Sequence, residues 1–191
     1  RESMAIKIYI DQGHNPVNPN AGAEGNGLRE QDIVFPIGIE LGELLLANGN
    51  FEVRYSRPTA DTQIGTSNST SLRARVDDAN AWGADYFISL HTNASDITSA
   101  TGSEALVYTQ PSRAATLGAD ILEGLNRATG LTNRGVKTRA NLYVLRRTAM
   151  PAVLVELGFI SNPGDAALMS QRPDLFARGV YNGILNYLDL N

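Results

Sequence analysis

Short apolar runs alternate along the chain with segments whose apolar residues return at helical spacing. Ile6-Lys7-Ile8-Tyr9-Ile10 is a compact β-branched run that reads as a strand, and a Gly/Asn/Pro-rich stretch from Gln12 to Gly27 follows it. From about Ile33 to Asn48 the residues Ile37, Leu41, Leu44 and Leu45 recur at helical spacing, and Gly49 stands where a helix C-terminus wants it. Pro36 fits that helix only in its first turn, where a missing N–H costs little. Phe51 to Ser56 reads as a second strand. A polar loop from Pro58 to Thr70 then leads to Ser71, the expected N-cap of a helix ending near Trp82-Gly83.

Tyr86-Phe87-Ile88-Ser89-Leu90 is a third strand, too apolar to be an edge. Ser103 to Thr109 reads as a fourth, and Pro111 opens a helix to about Ala128. Leu142 to Leu145 and Ala152 to Val155 read as further short strands. Pro163 and Pro173 each open a helix, the last one repeating Phe176, Val180, Ile184 and Leu188 on one face. This alternation, with strands apolar on both faces, predicts a single α/β domain: a largely parallel twisted sheet of about six strands with helices on both faces.

Composition narrows the function classes. The 191 residues carry 16 Lys+Arg against 20 Asp+Glu, a formal net charge of −4, with 42% hydrophobic and 19% charged residues. That is globular composition without the basic patch of a nucleic-acid partner. No apolar run approaches the ~20 residues of a spanning helix. The absence of cysteine removes disulfides, zinc ribbons and thiol nucleophiles, so any metal must be held by His and carboxylate. Arg1-Glu2-Ser3 ahead of Met4 reads as a cloning remnant, leaving residues 4–191 as the domain. With strand residues beginning at once, no signal peptide is read in this chain. It is expected to be a trimmed catalytic fragment or to leave the cell by another route.

The two histidines are the most informative residues. His14 follows the first strand by a short turn, His91 ends the third, and Glu156 ends the buried run Val153-Leu154-Val155. Ligands of open parallel sheets bind outside the carboxyl ends of the strands, so these three side chains are expected on one rim. Two neutral imidazoles and one carboxylate form a zinc set with an open fourth position, and a carboxylate outside the metal is then needed to move a proton. Glu24, Glu30 and Asp32 are the carboxylates available after His14, and spacing alone does not rank them. A dinucleotide site is excluded, because the glycines after the first strand do not form a Gly-x-Gly-x-x-Gly turn opening into a helix.

Four blocks resemble the zinc-dependent N-acetylmuramoyl-L-alanine amidases of the amidase-3 family, in the expected order and over nearly the whole chain. They are Ile8-Tyr9-Ile10-Asp11-Gln12-Gly13-His14, Gly27-Leu28-Arg29-Glu30, Ala84 to Ala94 around His91, and Met150 to Asn162 around Glu156. The resemblance implies zinc held by His14, Glu30 and His91, with Glu156 as general base and acid. It implies a monomeric bacterial autolysin acting outside the cell on peptidoglycan, at the bond between N-acetylmuramic acid and L-alanine. A stem-peptide zinc peptidase and a non-catalytic wall-binding domain are the alternatives. The chain departs from the family at Gln12 and at Asn15-Pro16, which bears on loop shape alone. Between Glu24 and Gly27, where some relatives insert a regulatory helix, the segment is too short for one, so an open site is expected.

Substrate contacts are expected from Arg146 and Arg147, following a strand beside Glu156, where an Arg fork suits a stem carboxylate. Asn93, two residues past His91, is a further candidate for a sugar or peptide amide. Asp11 is placed to orient a zinc histidine.

Overall fold

The computed structural model describes residues 4–191, so the remnant read at residues 1–3 lies outside the described residues. The β-branched opening run becomes β1 (Ile6–Gln12). After the polar loop come a two-stranded hairpin, β2 (Glu24–Gly25) and β3 (Leu28–Arg29), then α1 (Glu30–Asn48) and β4 (Phe51–Tyr55). The chain continues through α2 (Asn68–Trp82), β5 (Tyr86–Asn93), β6 (Ser103–Val107) and α3 (Arg113–Thr129). It ends with β7 (Asn133–Thr138), α4 (Tyr143–Arg146), β8 (Ala152–Phe159), α5 (Pro163–Gln171) and α6 (Pro173–Tyr187).

The main sheet has the order β4-β1-β5-β8-β6-β7, and its first four strands are parallel. β6 runs antiparallel to β8 and parallel to β7. One face packs Ile8, Ile10, Ile88, Leu90, Val153 and Val155 against α1, α3 and α6. The other packs Tyr9, Phe87 and Leu154 against Val76 and Ala79 of α2 and Leu145 of α4. Each such side chain, when fully buried, contributes roughly 1.5–3 kcal/mol. The crossovers after β1 and before β5 lead to opposite faces, so the chain diverges at the carboxyl ends of these neighbours. That is the place where an open α/β sheet leaves a crevice.

Several local expectations are corrected. Pro36 lies more than a turn inside α1. It deprives the carbonyl of exposed Asp32 of its i+4 donor. The cap of α2 is Ser67, in a capping box with Thr70; Ser71 is buried one turn on. α3 is capped by Ser112, whose side chain accepts from Ala115 N at 3.0 Å, so Pro111 precedes the cap. Leu142 to Leu145 is no strand: the Leu142 carbonyl accepts from Leu145 N and Arg146 N, and the apolar residues of α4 face the sheet. β7 has only Val136 as an apolar residue, so it showed no alternation to read.

Candidate active site

Gly13 follows β1, and its N–H donates to Leu90 O at 3.0 Å, which keeps the chain beside β5 up to His14. His14 then turns with φ +68°, in the left-handed region where a β-carbon is crowded. Arg75, fully buried on α2, holds this turn. Its Nη1 donates to Asp11 Oδ1 (2.8 Å) and Gln12 O (2.7 Å), and its Nη2 donates to His14 O (2.8 Å) and Asn15 Oδ1 (3.1 Å). Asp11 also accepts from Ser89 Oγ at 2.7 Å. Asp11 therefore anchors Arg75 and does not touch a histidine ring, which corrects its expected role.

Of the three carboxylates left open, Glu30 meets the histidines. Its Oε1 lies 3.2 Å from His14 Nε2 and its Oε2 lies 3.2 Å from His91 Nδ1. The carboxylate is fixed by Ala23 N (3.1 Å to Oε1) and Thr92 N (2.9 Å to Oε2). Glu24 is exposed on the hairpin, and Asp32 pairs with Arg29 at 2.8 Å on the surface. The imidazoles stand edge to face, centroids 5.0 Å apart. Asn20 donates its amide to Ser71 Oγ and turns Oδ1 toward His14 Nδ1 at 3.2 Å. An amide oxygen only accepts, so His14 Nδ1 donates to it, and Nε2 is the ring nitrogen that faces Glu30 Oε1.

Two glycines leave the room these rings occupy. A β-carbon on Gly13 would stand 2.5 Å from His91 Cε1, and one on Gly22 would stand 3.0 Å from both Glu30 Oε1 and His14 Cδ2. One ligand atom from each of His14, Glu30 and His91 lies within 4.8 Å of the others, a set that could hold a metal ion. Two nitrogens and one carboxylate oxygen, with the rings 21% and 18% exposed, suit a borderline cation such as Zn2+ with a solvent-facing fourth position.

Glu156 sits one strand away, the Cα partner of His91 across the β5–β8 pairing. β8 continues past it to Phe159, so Glu156 does not end its strand as expected but points from within it. Its Oε2 is buried without a hydrogen-bond partner. Burial, reinforced by the charges of Glu30 and Glu104, pushes its carboxyl well above the usual range. Burial also works against charge on Glu30, but the hydrogen bonds from His14 and His91 outweigh it and hold that carboxyl well below its ordinary value.

Of the remaining candidates, the two arginines are not gathered here. Arg146 and Arg147 are exposed, and Arg147 O accepts from Asn80 Nδ2 near the end of α2, where Trp82 O meets Lys7 at the start of β1. That is the opposite end of the strands, because the segment expected to deliver them beside Glu156 is α4. Asn93 gives Nδ2 to Glu104 Oε1 at 2.7 Å. Glu104 is the residue the sequence reading passed over, although a lone carboxylate within Ser103–Val107 was its visible signal. Between Glu24 and Arg29 the hairpin, with no helix, packs on the turn after β8, Asn26 Nδ2 donating to Ile160 O at 2.8 Å.

Residues 8–186 match the family model described as amidase-3, N-acetylmuramoyl-L-alanine amidase. N-acetylmuramoyl-L-alanine amidase CwlM of Bacillus licheniformis is 37% identical over 190 residues, covering 97% of this chain and 70% of that protein. LytC of Bacillus subtilis is 36% identical over 186 residues, and the chain spans only 35% of its length. The catalytic domain of CwlV from Bacillus (Paenibacillus) polymyxa var. colistinus superposes with a TM-score of 0.84 at 30% identity, covering 97% of this chain and 99% of that one. The N-acetylmuramoyl-L-alanine amidase from Clostridium difficile 630 gives 0.87 at 29% identity, with 98% of each chain covered. The match at residues 8–186 thus takes in His14, Glu30, His91 and Glu156 and nearly all of the sheet that brings them together, and the chain belongs to the amidase-3 family of N-acetylmuramoyl-L-alanine amidases.

Proposed function

We propose that this chain hydrolyses the amide between the lactyl group of N-acetylmuramic acid and L-alanine in the peptidoglycan of the bacterial cell wall, with Zn2+ held by His14, Glu30 and His91. The observation that carries this reading is the convergence of those three ligand atoms within 4.8 Å beside the unpartnered, buried Oε2 of Glu156. Bound there, zinc supplies Lewis acidity, polarising a carbonyl and lowering the pKa of water toward ~7. His14 is oriented for this by Asn20 and Arg75, and Glu30 by two backbone N–H groups.

Glu156 carries the proton. Its raised pKa brings it nearer the working pH, where a carboxyl serves first as base and then as acid. Its carboxylate takes a proton from the attacking water as the oxygen bonds to the lactyl carbonyl carbon. The carboxylic acid then returns the proton to the alanine nitrogen as the C–N bond breaks, leaving a lactyl carboxylic acid and a free amine, which exchange the second water proton to become carboxylate and ammonium. No side chain is consumed, and Glu156 ends ready to repeat the cycle.

Purified peptidoglycan digested with the protein, labelled at its new amino termini and hydrolysed, tests the bond cleaved. Alanine is expected to dominate the label, the signal to vanish on chelation, and zinc to restore it. Label on a later residue of the stem would identify a peptidase, and new reducing ends would identify a glycosidase. Either result overturns the proposal.

A further inference from the structure

One row of the sheet runs through His91, Glu156 and Glu104, each the Cα partner of the next. Glu104 is buried, and two cations of the edge strand β7 converge on it: Lys137 through Nζ, and Arg134 through Nε at 3.6 Å. Asn93 adds a third donor at 2.7 Å. Although burial opposes its charge, the hydrogen bond from Lys137 and its neighbours lower the carboxyl's pKa, so the cluster is one carboxylate against two cations. One positive charge is left over, beside the reacting centre.

Neither cation is used up. Their side chains are 35% exposed for Lys137 and 38% for Arg134. Arg134 is steadied with its guanidinium 4.9 Å over the Phe159 ring and Nη1 on Thr101 O at 3.2 Å. β7 lies two strands from β8, about 10 Å at the usual strand spacing. An extended peptide advances about 3.3–3.6 Å per residue, so a carboxylate on the second stem residue lies ~7 Å from the nitrogen released at the first. Lysine and arginine side chains reaching inward from β7 cover the difference.

Resting on the amidase reading above, the geometry points to Lys137 and Arg134 as the subsite for a free α-carboxylate on the stem residue that follows L-alanine. Glu104 is its positioning residue, holding two mutually repelling cations together beside Glu156. A neutral amide at that place of the substrate forfeits the charge-assisted bonds.

The test uses two synthetic muramoyl peptides that differ only in whether that α-carboxylate is free or amidated. The unaltered protein is expected to favour the free acid by ~10-fold or more in kcat/KM, carried mainly in KM, as a charge-assisted contact implies. Lys137→Gln and Arg134→Gln each lower that preference, and Lys137→Arg keeps it. Zinc content and thermal unfolding of each variant establish that it is folded. Equal rates on both peptides, or a preference that survives both glutamine substitutions, overturn the subsite while leaving the amidase reading intact. Cleavage of neither peptide overturns the amidase reading itself.

Discussion

Arg75 donates from Nη2 to the backbone carbonyl of His14 at 2.8 Å, across 61 residues of sequence. The same guanidinium binds Asp11, Gln12 and Asn15, so a histidine in left-handed backbone is held by a group that no solvent reaches. The position of His14 is thus set by α2 as much as by its own turn. A planar fork with five donors can do this; a single ammonium cannot.

Arg75→Lys is therefore expected to leave a folded protein that binds zinc ~10–100-fold more weakly, the usual effect of losing a group that orients a ligand. Chelator competition measures it. Arg75→Met removes the charge beside buried Asp11 and is expected to cost about 3–5 kcal/mol of stability. Unchanged zinc affinity in a folded Arg75→Lys variant would show that the His14 turn holds itself.

Glu156→Gln separates chemistry from metal binding. Hydrolysis is expected to fall at least ~10²-fold, the size of a general acid–base contribution, while zinc is retained. Loss of zinc in parallel would make Glu156 a ligand and reopen the place of Glu30.

The same variant carries a pH signature. Glu156 has a folded pKa above its unfolded value, so its contribution is fully present below the ordinary carboxyl pKa and is lost as pH rises through the folded value. Glutamine mimics the protonated form at every pH. At pH 7–8 the variant is expected to melt above the unaltered protein, roughly 2–4 °C for each kcal/mol recovered, and the gap to close as pH falls toward 4. Paired melts across that range, run on metal-free samples, check the sign.

His91→Ala removes one of the three proposed ligands, and most of the expected ~1 equivalent of zinc per chain should go with it. Because an imidazole must be neutral to coordinate, zinc stabilisation of the unaltered protein should also weaken in mild acid. Metal analysis and melting with and without zinc at pH 6 and pH 8 measure both effects.

Gly13→Ala tests the site from its floor. The added carbon would stand 2.5, 2.6 and 2.8 Å from three ring atoms of His91, so the ring must move. Overpacking of this kind costs about 1–3 kcal/mol. Zinc affinity is expected to drop by more than the melting temperature implies, because the displaced ring belongs to the proposed metal site. A variant with unaltered zinc affinity would show that His91 does not need its place above Gly13.

Much of this protein was determined by local pattern. Strands apolar on both faces, such as Phe87-Ile88-Ser89-Leu90, demanded helices on each side and hence a mainly parallel sheet, and His14 just past β1 and His91 near the carboxyl end of β5 pointed to one rim. These signals are legible because burial periodicity and strand polarity are properties of contiguous residues. Where residues were ambiguous on their own, the tertiary structure decided. Four apolar residues at Leu142 to Leu145 suit a strand or a helical turn equally, and the packing of Val144 and Leu145 beneath α2 made them α4, which carried Arg146 and Arg147 away from the site. Polar β7 became a strand by pairing with the edge of β6. Glu30 was chosen over Glu24 and Asp32 by the orientation in which α1 leaves the hairpin, and Arg75 and Glu104 acquired their partners across 64 and 33 residues. Such pairings depend on how the layers dock, because a carboxylate or guanidinium is committed only when burial deprives it of water and leaves a particular neighbour as the one able to replace it.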